Sequence, residues 1–139
     1  MQTVEFIDAL KTGVPKIDDQ HEALVDMINF LIEAKDNATP PETISFVLGE
    51  MTKYVYLHFR DEEQYMLDHF YPGLAVHRLI HETFEDQVLA YQKQYDEGRT
   101  DLLDDVLEFL TNWLIQHIQG DDKDMVQEIL ANREELDSF

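Results

Sequence analysis

The sequence predicts an all-α protein, an antiparallel up-down four-helix bundle followed by a short C-terminal helical extension. Apolar residues recur at intervals of three and four along most of the chain, and prolines and glycines divide it into segments of helix length. No stretch alternates apolar and polar residues as a half-buried strand would. Four helices of this length, joined by short loops, bury their apolar faces against one another along one axis.

The first two helices are predicted over residues 18–36 and 41–69. Asp18 is a good N-cap for the first helix, and Pro41 is tolerated in the first turn of the second. Their inner faces carry apolar residues at helical spacing with a few polar residues among them. These faces comprise Ile17, His21, Leu24, Val25, Ile28 and Leu31 in the first helix, and Ile44, Leu48, Met51, Val55, His58, Glu62 and Met66 in the second.

The third and fourth helices are predicted over residues 73–97 and 101–119, and Gly120 interrupts the fourth. A charged final segment, residues 122–136, has a helical pattern and either caps the bundle or leads toward a structure outside the chain. With 139 residues, the chain is expected to form one domain over residues 1–139. The inner faces comprise Leu74, His77, His81, Phe84, Val88 and Tyr91 in the third helix, and Leu103, Val106, Leu107, Leu110, Leu114, His117 and Ile118 in the fourth.

Composition limits the classes of partner and site. The 30 acidic and 10 basic residues give a net charge of −20, which makes nucleic acid or an anionic membrane surface an unfavourable partner. The absence of cysteine excludes thiolate zinc sites, iron–sulfur clusters and disulfides, so any metal must be held by nitrogen and oxygen. Because the sequence shows neither a signal peptide nor a run of about 18 apolar residues, a cytoplasmic location is expected.

Seven polar residues fall on the predicted inner faces, where a solvated side chain is not expected. Burying such a group without a partner costs a few kcal/mol, so seven of them on converging faces need a shared counterpart. A pair of metal ions is the simplest counterpart, and a metal-free structural bundle is the least economical alternative. The seven are His21, His58, Glu62, His77, His81, His117 and Asp122.

Spacing supports these residues unequally. The pairs His58/Glu62 and His77/His81 are four apart, which places both members on one helix face, although either pair alone is a weak signal. His21 stands alone on its helix, and a lone histidine on an apolar face is usually a core residue with one hydrogen bond. His69 lies at a predicted turn and is expected to be an ordinary surface histidine.

His117 and Asp122 are five residues apart and would point about 140° away from each other on an ideal α-helix. We therefore expect Gly120 to end the helix in a left-handed conformation, so that the chain turns and brings Asp122 back toward His117. The alternative is that Asp122 is the N-cap of the final segment.

The donor set limits the metal and the chemistry. Five imidazoles and two carboxylates suit iron, with manganese or zinc as alternatives, and seven donors exceed the four that one zinc ion takes. The HExxH motif of zinc proteases is absent, as are the ExxH pairs of carboxylate-rich di-iron proteins. The sequence therefore disfavours protease and di-iron oxygenase chemistry.

Four motifs in this order resemble hemerythrin, especially the single-domain bacterial hemerythrins. They are Gln20-His21, HFRDEE at residues 58–63, HRLIH at residues 77–81 and HIQGDDK at residues 117–123, with YPG before the third helix. The resemblance extends from about residue 13 to about residue 124. It departs from the bacterial pattern at Phe6, where tryptophan is frequent, and at Asp124-Met125, where an aromatic pair is frequent.

The resemblance implies a non-haem centre of two iron ions joined by an oxo or hydroxo group. His77, His81 and His117 would hold one iron, His21 and His58 the other, and Glu62 and Asp122 would bridge both. Dioxygen would bind at the open position of the second iron. The family's apolar dioxygen pocket is matched by Phe59, Trp113, Leu114 and Ile118, which are equally suited to being plain bundle core.

The expected function is reversible dioxygen binding for delivery or storage, without catalysis, because no catalytic acid or base is evident beyond the metal ligands. Two alternatives remain. The domain could sense oxygen or redox state for a fused or downstream signalling domain, if the chain is a fragment, or it could be a di-iron enzyme that reduces peroxide or nitric oxide.

Overall fold

A computed structural model describes residues 3–137, with the exception of the side chains of Pro41, Thr100 and residues 133–137. The prediction of an all-α four-helix bundle is confirmed, and no strand occurs among the described residues. Short 3-10 turns, Asp8–Leu10 and Thr100–Leu102, precede the first and fourth helices. The helical elements are α1 (Pro15–Asp36), α2 (Pro41–Asp68), α3 (Leu74–Asp96), α4 (Leu103–Gln116), a π-helical segment (His117–Asp122) and α5 (Lys123–Asp137).

The four long helices pack as a closed ring. α2 contacts both α1 and α3, and α4 also contacts α1 and α3. The connections between consecutive helices are short, which favours antiparallel neighbours. In the part of the chain that the structure describes, no helix has the continuous apolar length that crossing a bilayer requires.

The buried apolar side chains form two clusters that are separate along the bundle axis. The large cluster includes Leu24, Val55, Phe59, Phe84 and Leu114, among others. The small cluster consists of Ile17, Met66, Met125, Val126 and Ile129, so α5 supplies three of its five buried members. The charged extension therefore uses its one apolar face to close an end of the bundle. α4, the π-helical segment and α5 follow one another without a break and form one helical rod. On α1, α2, α3 and this rod, the seven predicted metal ligands lie between the two clusters.

The prediction that Asp18 is the N-cap of α1 is wrong, because the helix begins at Pro15. Proline suits the first helical position, since it has no N–H to leave unpaired there. Asp18 instead stabilises the preceding turn: its carboxylate accepts the backbone N–H groups of Thr12 and Gly13 at 2.7 and 3.1 Å. Gly13 has a positive φ of 95°, a conformation that glycine adopts without steric cost, so this turn requires glycine at that position.

The prediction that Gly120 ends the fourth helix is also wrong. The backbone remains right-handed helical from Gln116 to Lys123, and the described glycines with positive φ are Gly13 and Gly98. The six residues His117–Asp122 form a π-helix, whose hydrogen bonds join residues five apart. A residue and the fifth one after it consequently lie on the same side of the rod. This local widening, rather than a turn, aligns Asp122 with His117, and the helix leaves no N-cap position for Asp122.

Phe70 closes the C-terminus of α2 in a left-handed conformation, with φ of 54°, and its side chain is 90% exposed. The turn is secured by a hydrogen bond of 2.9 Å from the Tyr71 N–H to the Met66 carbonyl. Because the left-handed conformation costs a non-glycine residue roughly 1–2 kcal/mol, we expect F70G to raise the free energy of unfolding by about 1 kcal/mol in urea titrations. A90G, at an exposed position inside α3, should lower it by about 1 kcal/mol. Equal losses in both variants would contradict this expectation.

Candidate metal centre

The structure brings all seven predicted ligands to one place inside the bundle. Each is at most 4% exposed, which is unusual for histidine, glutamate and aspartate. They come from α1, α2, α3 and the π-helical segment, at the level between the two apolar clusters. Their ligand atoms form two groups, and within each group every atom lies within 4.8 Å of the others. Glu62 and Asp122 belong to both groups.

The first group contains three imidazoles, those of His77, His81 and His117. His77 Nε2 lies 2.7 Å from Glu62 Oε1 and 2.8 Å from Asp122 Oδ1. His81 Nε2 lies 3.1 Å from His117 Nε2. Two lone pairs cannot face each other at this distance without a proton or a cation between them. An ion about 2.1 Å from each donor spans roughly 4.2 Å between opposite ligands, so the group is already close to metal-binding size.

The second group contains two imidazoles, those of His21 and His58. His21 Nε2 lies 2.9 Å from Asp122 Oδ2, and His58 Nε2 lies 3.3 Å from Glu62 Oε2. These four atoms are fully buried and have no hydrogen bond. Buried polar atoms are rarely left unpaired, so four of them facing one another indicate a missing counterpart of positive charge. This observation shows that the residues fit a cation.

The two carboxylates divide their oxygens between the groups. Oε1 of Glu62 and Oδ1 of Asp122 face the three-histidine group, whereas Oε2 and Oδ2 face the two-histidine group. A carboxylate in this arrangement can bridge two ions. The first ion would have five protein donors and the second only four, so the second has room for an external ligand. This asymmetry follows from the geometry of the described side chains.

The electrostatics of the cluster favour positive charge. Burial lowers the pKa of His21 and His77, but the carboxylates of Asp122 and Glu62 outweigh burial and raise the pKa of each imidazole to about 9. Burial and the neighbouring Glu62 oppose ionisation of Asp122, yet His117 and His21 lower the pKa of Asp122 to about 2. Burial likewise opposes ionisation of Glu62, yet His117 and His21 lower the pKa of Glu62 well below its usual value, so both carboxylates are ionised at neutral pH. The raised pKa values of His21 and His77 favour protons on the imidazoles that a metal would otherwise use.

These shifts predict a pH dependence for the metal-free protein. An imidazole whose pKa is raised above 6.5 by folding stabilises the fold fully below pH 6.5, and this contribution is lost as the pH rises through about 9. We therefore expect the melting temperature of metal-free protein, followed by circular dichroism, to fall between pH 6.5 and 9.5. Metal-loaded protein should not show this fall, because the ion replaces the protons. A melting temperature of the metal-free protein that rises over this range would contradict the assignment.

Three outer contacts of the imidazoles were missed by sequence reasoning. Gln20 Oε1 lies 2.7 Å from His58 Nδ1, and Asp121 Oδ2 lies 2.9 Å from His117 Nδ1. Glu63, which pairs with Arg60 and Arg78, lies 3.5 Å from His81 Nδ1. Such partners fix the ring orientation and leave Nε2 free for a metal. Each of them directly precedes or follows a ligand in the sequence, and that adjacency is the signal that could have indicated them.

The four residues predicted to line a dioxygen pocket are placed around the three-histidine group and the large cluster. Phe59 stacks on His81 with centroids 3.8 Å apart, and Trp113 stacks on His117 with centroids 4.5 Å apart. Leu114 and Ile118 are buried in the large cluster. Phe59 and Trp113 thus cover one face of each of two imidazoles, and the pocket itself stays a prediction.

Other predicted features are placed as follows. His69 is exposed, as expected for a surface histidine, and its Nδ1 lies 2.8 Å from the Tyr65 carbonyl oxygen. Phe6 packs partly buried against the large cluster. Met125 is fully buried in the small cluster, whereas Asp124 is exposed. The two positions that depart from the bacterial pattern therefore contribute to different ends of the bundle.

Comparisons with known proteins agree with this site. The family model described as Hemerythrin HHE cation binding domain matches residues 12–129. The chain is 32% identical over 132 residues to a bacteriohemerythrin of Stenotrophomonas maltophilia, covering 95% of this chain and 85% of that protein. It is 35% identical to a bacteriohemerythrin of Pseudomonas paraeruginosa over 129 residues, 93% of this chain and 83% of the relative. A crystal structure of wild-type hemerythrin superposes with a TM-score of 0.73 at 32% identity, covering 81% and 85% of the two chains. With its fold, its buried donor set and these relatives, the chain belongs to the hemerythrin family.

Proposed function

We propose that this protein binds dioxygen reversibly at a di-iron centre held by the seven residues described above. His77, His81 and His117 hold the first iron, His21 and His58 hold the second, and Glu62 and Asp122 bridge them. The observation that carries the proposal is the division of each buried carboxylate between the two groups of imidazoles. Relatives named bacteriohemerythrin and myohemerythrin support dioxygen as the ligand.

Iron is the metal that the donor set and the family favour together. Five imidazoles and two carboxylates provide intermediate and hard donors, and the chain has no cysteine that would favour a softer ion. When bound, the pair of ferrous ions supplies the electrons that dioxygen needs. We assign the external ligand to the two-histidine side, because one protein donor fewer is present there.

The protein's own contribution is to exclude water and hold the ligands rigidly. The large cluster on one side and the small cluster on the other surround the polar layer with apolar side chains. Phe59 and Trp113 cover the faces of two ligand imidazoles. A dry site disfavours escape of a reduced oxygen species, so that dioxygen leaves unchanged. Leu114 follows Trp113 in the sequence, Ile118 follows His117, and both are buried in the large cluster. We assign them to the same apolar wall.

The proposal is binding rather than turnover, in a cytoplasmic setting. The decisive measurement is to admit air to anaerobically reduced, iron-loaded protein and to record the visible spectrum. We expect an iron charge-transfer band that appears with air, fades under argon and returns over repeated cycles. Irreversible bleaching without recovery, or sustained consumption of added peroxide or nitric oxide, would overturn the proposal in favour of a sensory or enzymatic role.

A further inference from the structure

The side chain of Gln20 joins a metal-ligand candidate to a carboxylate outside the donor set. Gln20 belongs to α1 and is 9% exposed, whereas both of its partners belong to α2. Its Oε1 lies 2.7 Å from His58 Nδ1, and its Nε2 donates to Asp61 Oδ2 at 2.8 Å. Asp61 is also 3.7 Å from Lys16 Nζ at the surface. The three residues His58, Gln20 and Asp61 thus form a chain of contacts from the buried centre to the protein surface.

The donor and the acceptor of each hydrogen bond in this chain of contacts can be assigned in only one way. A carboxylate accepts hydrogen bonds and donates none, so the Gln20 side chain must turn its nitrogen toward Asp61. The amide oxygen then faces His58, and an oxygen accepts, so His58 must carry its proton on Nδ1. The lone pair of the neutral imidazole is left on Nε2. This is the atom that lies 3.3 Å from Glu62 Oε2 in the two-histidine group.

The other imidazoles with outer partners need no such third residue. Asp121 faces His117 Nδ1 directly, and Glu63 faces His81 Nδ1. A carboxylate in that position selects the same tautomer by itself, because it can only accept. An amide can face a histidine through either its oxygen or its nitrogen, so Gln20 alone selects nothing. His58 is therefore the described ligand whose tautomer depends on a residue two contacts away.

We infer that Asp61 is a positioning residue for the second metal: by orienting the Gln20 amide, it holds His58 in the tautomer that can bind a cation. The inference rests on the proposed function, since it assumes that the two-histidine group binds an ion. It assigns a role to an aspartate that lies outside the seven ligands and whose carboxylate accepts from Gln20 and pairs with Lys16. It also explains why the residue before His21 is an amide: a neutral partner is tolerated because a charged one orients it.

The test uses the 139-residue chain, loaded with cobalt(II) and titrated with EDTA. Cobalt(II) is stable in air, and its visible absorption reports how many sites are occupied. Because losing an outer partner of a metal-bound histidine typically costs about 10–100-fold in affinity, D61N should release the second cobalt at roughly tenfold lower EDTA. Q20E places two carboxylates against each other at 2.8 Å; their repulsion should push the side chain at position 20 away from His58 Nδ1, so the second cobalt should be released more readily still. In the double variant Q20E/D61N the amide nitrogen at position 61 can donate to the carboxylate at position 20, and that carboxylate can accept from His58 Nδ1. The double variant should therefore retain the second cobalt as wild type does, within about threefold in EDTA concentration.

D68N is the matched control, because Asp68 on α2 accepts from Gln64 Nε2 at the same 2.8 Å on the exposed face of the helix. It should release both ions as wild type does. A merely structural role for Asp61 would not be rescued by Q20E, since that change does not restore the lost contact to Lys16. Two-bond proton–nitrogen NMR spectra of His58, recorded on metal-free protein, provide a second readout. The proton should be on Nδ1 in wild type and in the double variant, whereas D61N should show a mixture of the two tautomers.

The outcomes separate the two ideas. If wild-type protein retains fewer than two cobalt ions, the proposed function fails. If wild type retains two and D61N matches D68N in both EDTA release and tautomer, only the role of Asp61 is overturned. Failure of Q20E/D61N to recover retention, while its thermal unfolding remains cooperative, also overturns that role.

Discussion

The H58A variant is expected to hold one iron ion per chain where the unaltered protein holds two. His58 is one of only two imidazoles in the second group, and its Nε2 is one of the four buried atoms there without a hydrogen bond. Removing it leaves His21 and two carboxylate oxygens, which are too few donors for firm binding, while the three-histidine group keeps all its members. The dioxygen-dependent visible band should be lost with the second ion. Iron per chain after gel filtration, together with the aerobic spectrum, measures both effects.

H69A provides the control for this variant. His69 is the C-cap residue of α2 and is exposed, and its Nδ1 contacts the backbone carbonyl oxygen of Tyr65 rather than any of the seven predicted ligands. Its removal should leave two iron ions and an unchanged spectrum. Two ions retained in H58A, or one lost in H69A, would show that the second site is assigned to the wrong residues.

Removing the metal is expected to lower the melting temperature by roughly 10–20 °C. Two ions, each present at about thirty times its dissociation constant, together stabilise the native state by about 4 kcal/mol, and each kcal/mol shifts the melting temperature by about 3–5 °C for a domain of this size. The physical source is the buried polar layer, in which seven side chains at most 4% exposed lose their shared counterpart. Differential scanning calorimetry of iron-loaded and chelator-treated protein at pH 7 gives the difference.

Adding metal back identifies the cause of that difference. Zinc(II), which has no redox chemistry, should restore most of the melting temperature in the unaltered protein and only about half of the shift in H58A, where one site is lost. A shift below about 2 °C on removal, in protein shown to contain two ions beforehand, would mean that the polar layer is satisfied without metal.

The fold and the membership of the donor set were predictable because both follow from local periodicity. A polar residue on an apolar helical stripe can be recognised one helix at a time, as with His58/Glu62 and His77/His81. The structure then brings all seven residues together. The predictions about helix ends failed at Asp18 and Gly120, where capping statistics competed with a proline start and with a π-helical segment.

The amino-acid sequence by itself determined which side chains could bind metal and at what level of each helix they lie, since the helical period is a property of the chain alone. Only the tertiary structure decided how those side chains are arranged: which oxygen of Glu62 and Asp122 faces which imidazoles, how the π-helical segment aligns His117 with Asp122, and that Asp61 reaches His58 through Gln20. These features depend on the relative rotation and height of separate helices to within a fraction of an ångström. Packing of the two apolar clusters sets that rotation and height, and no single helix encodes it.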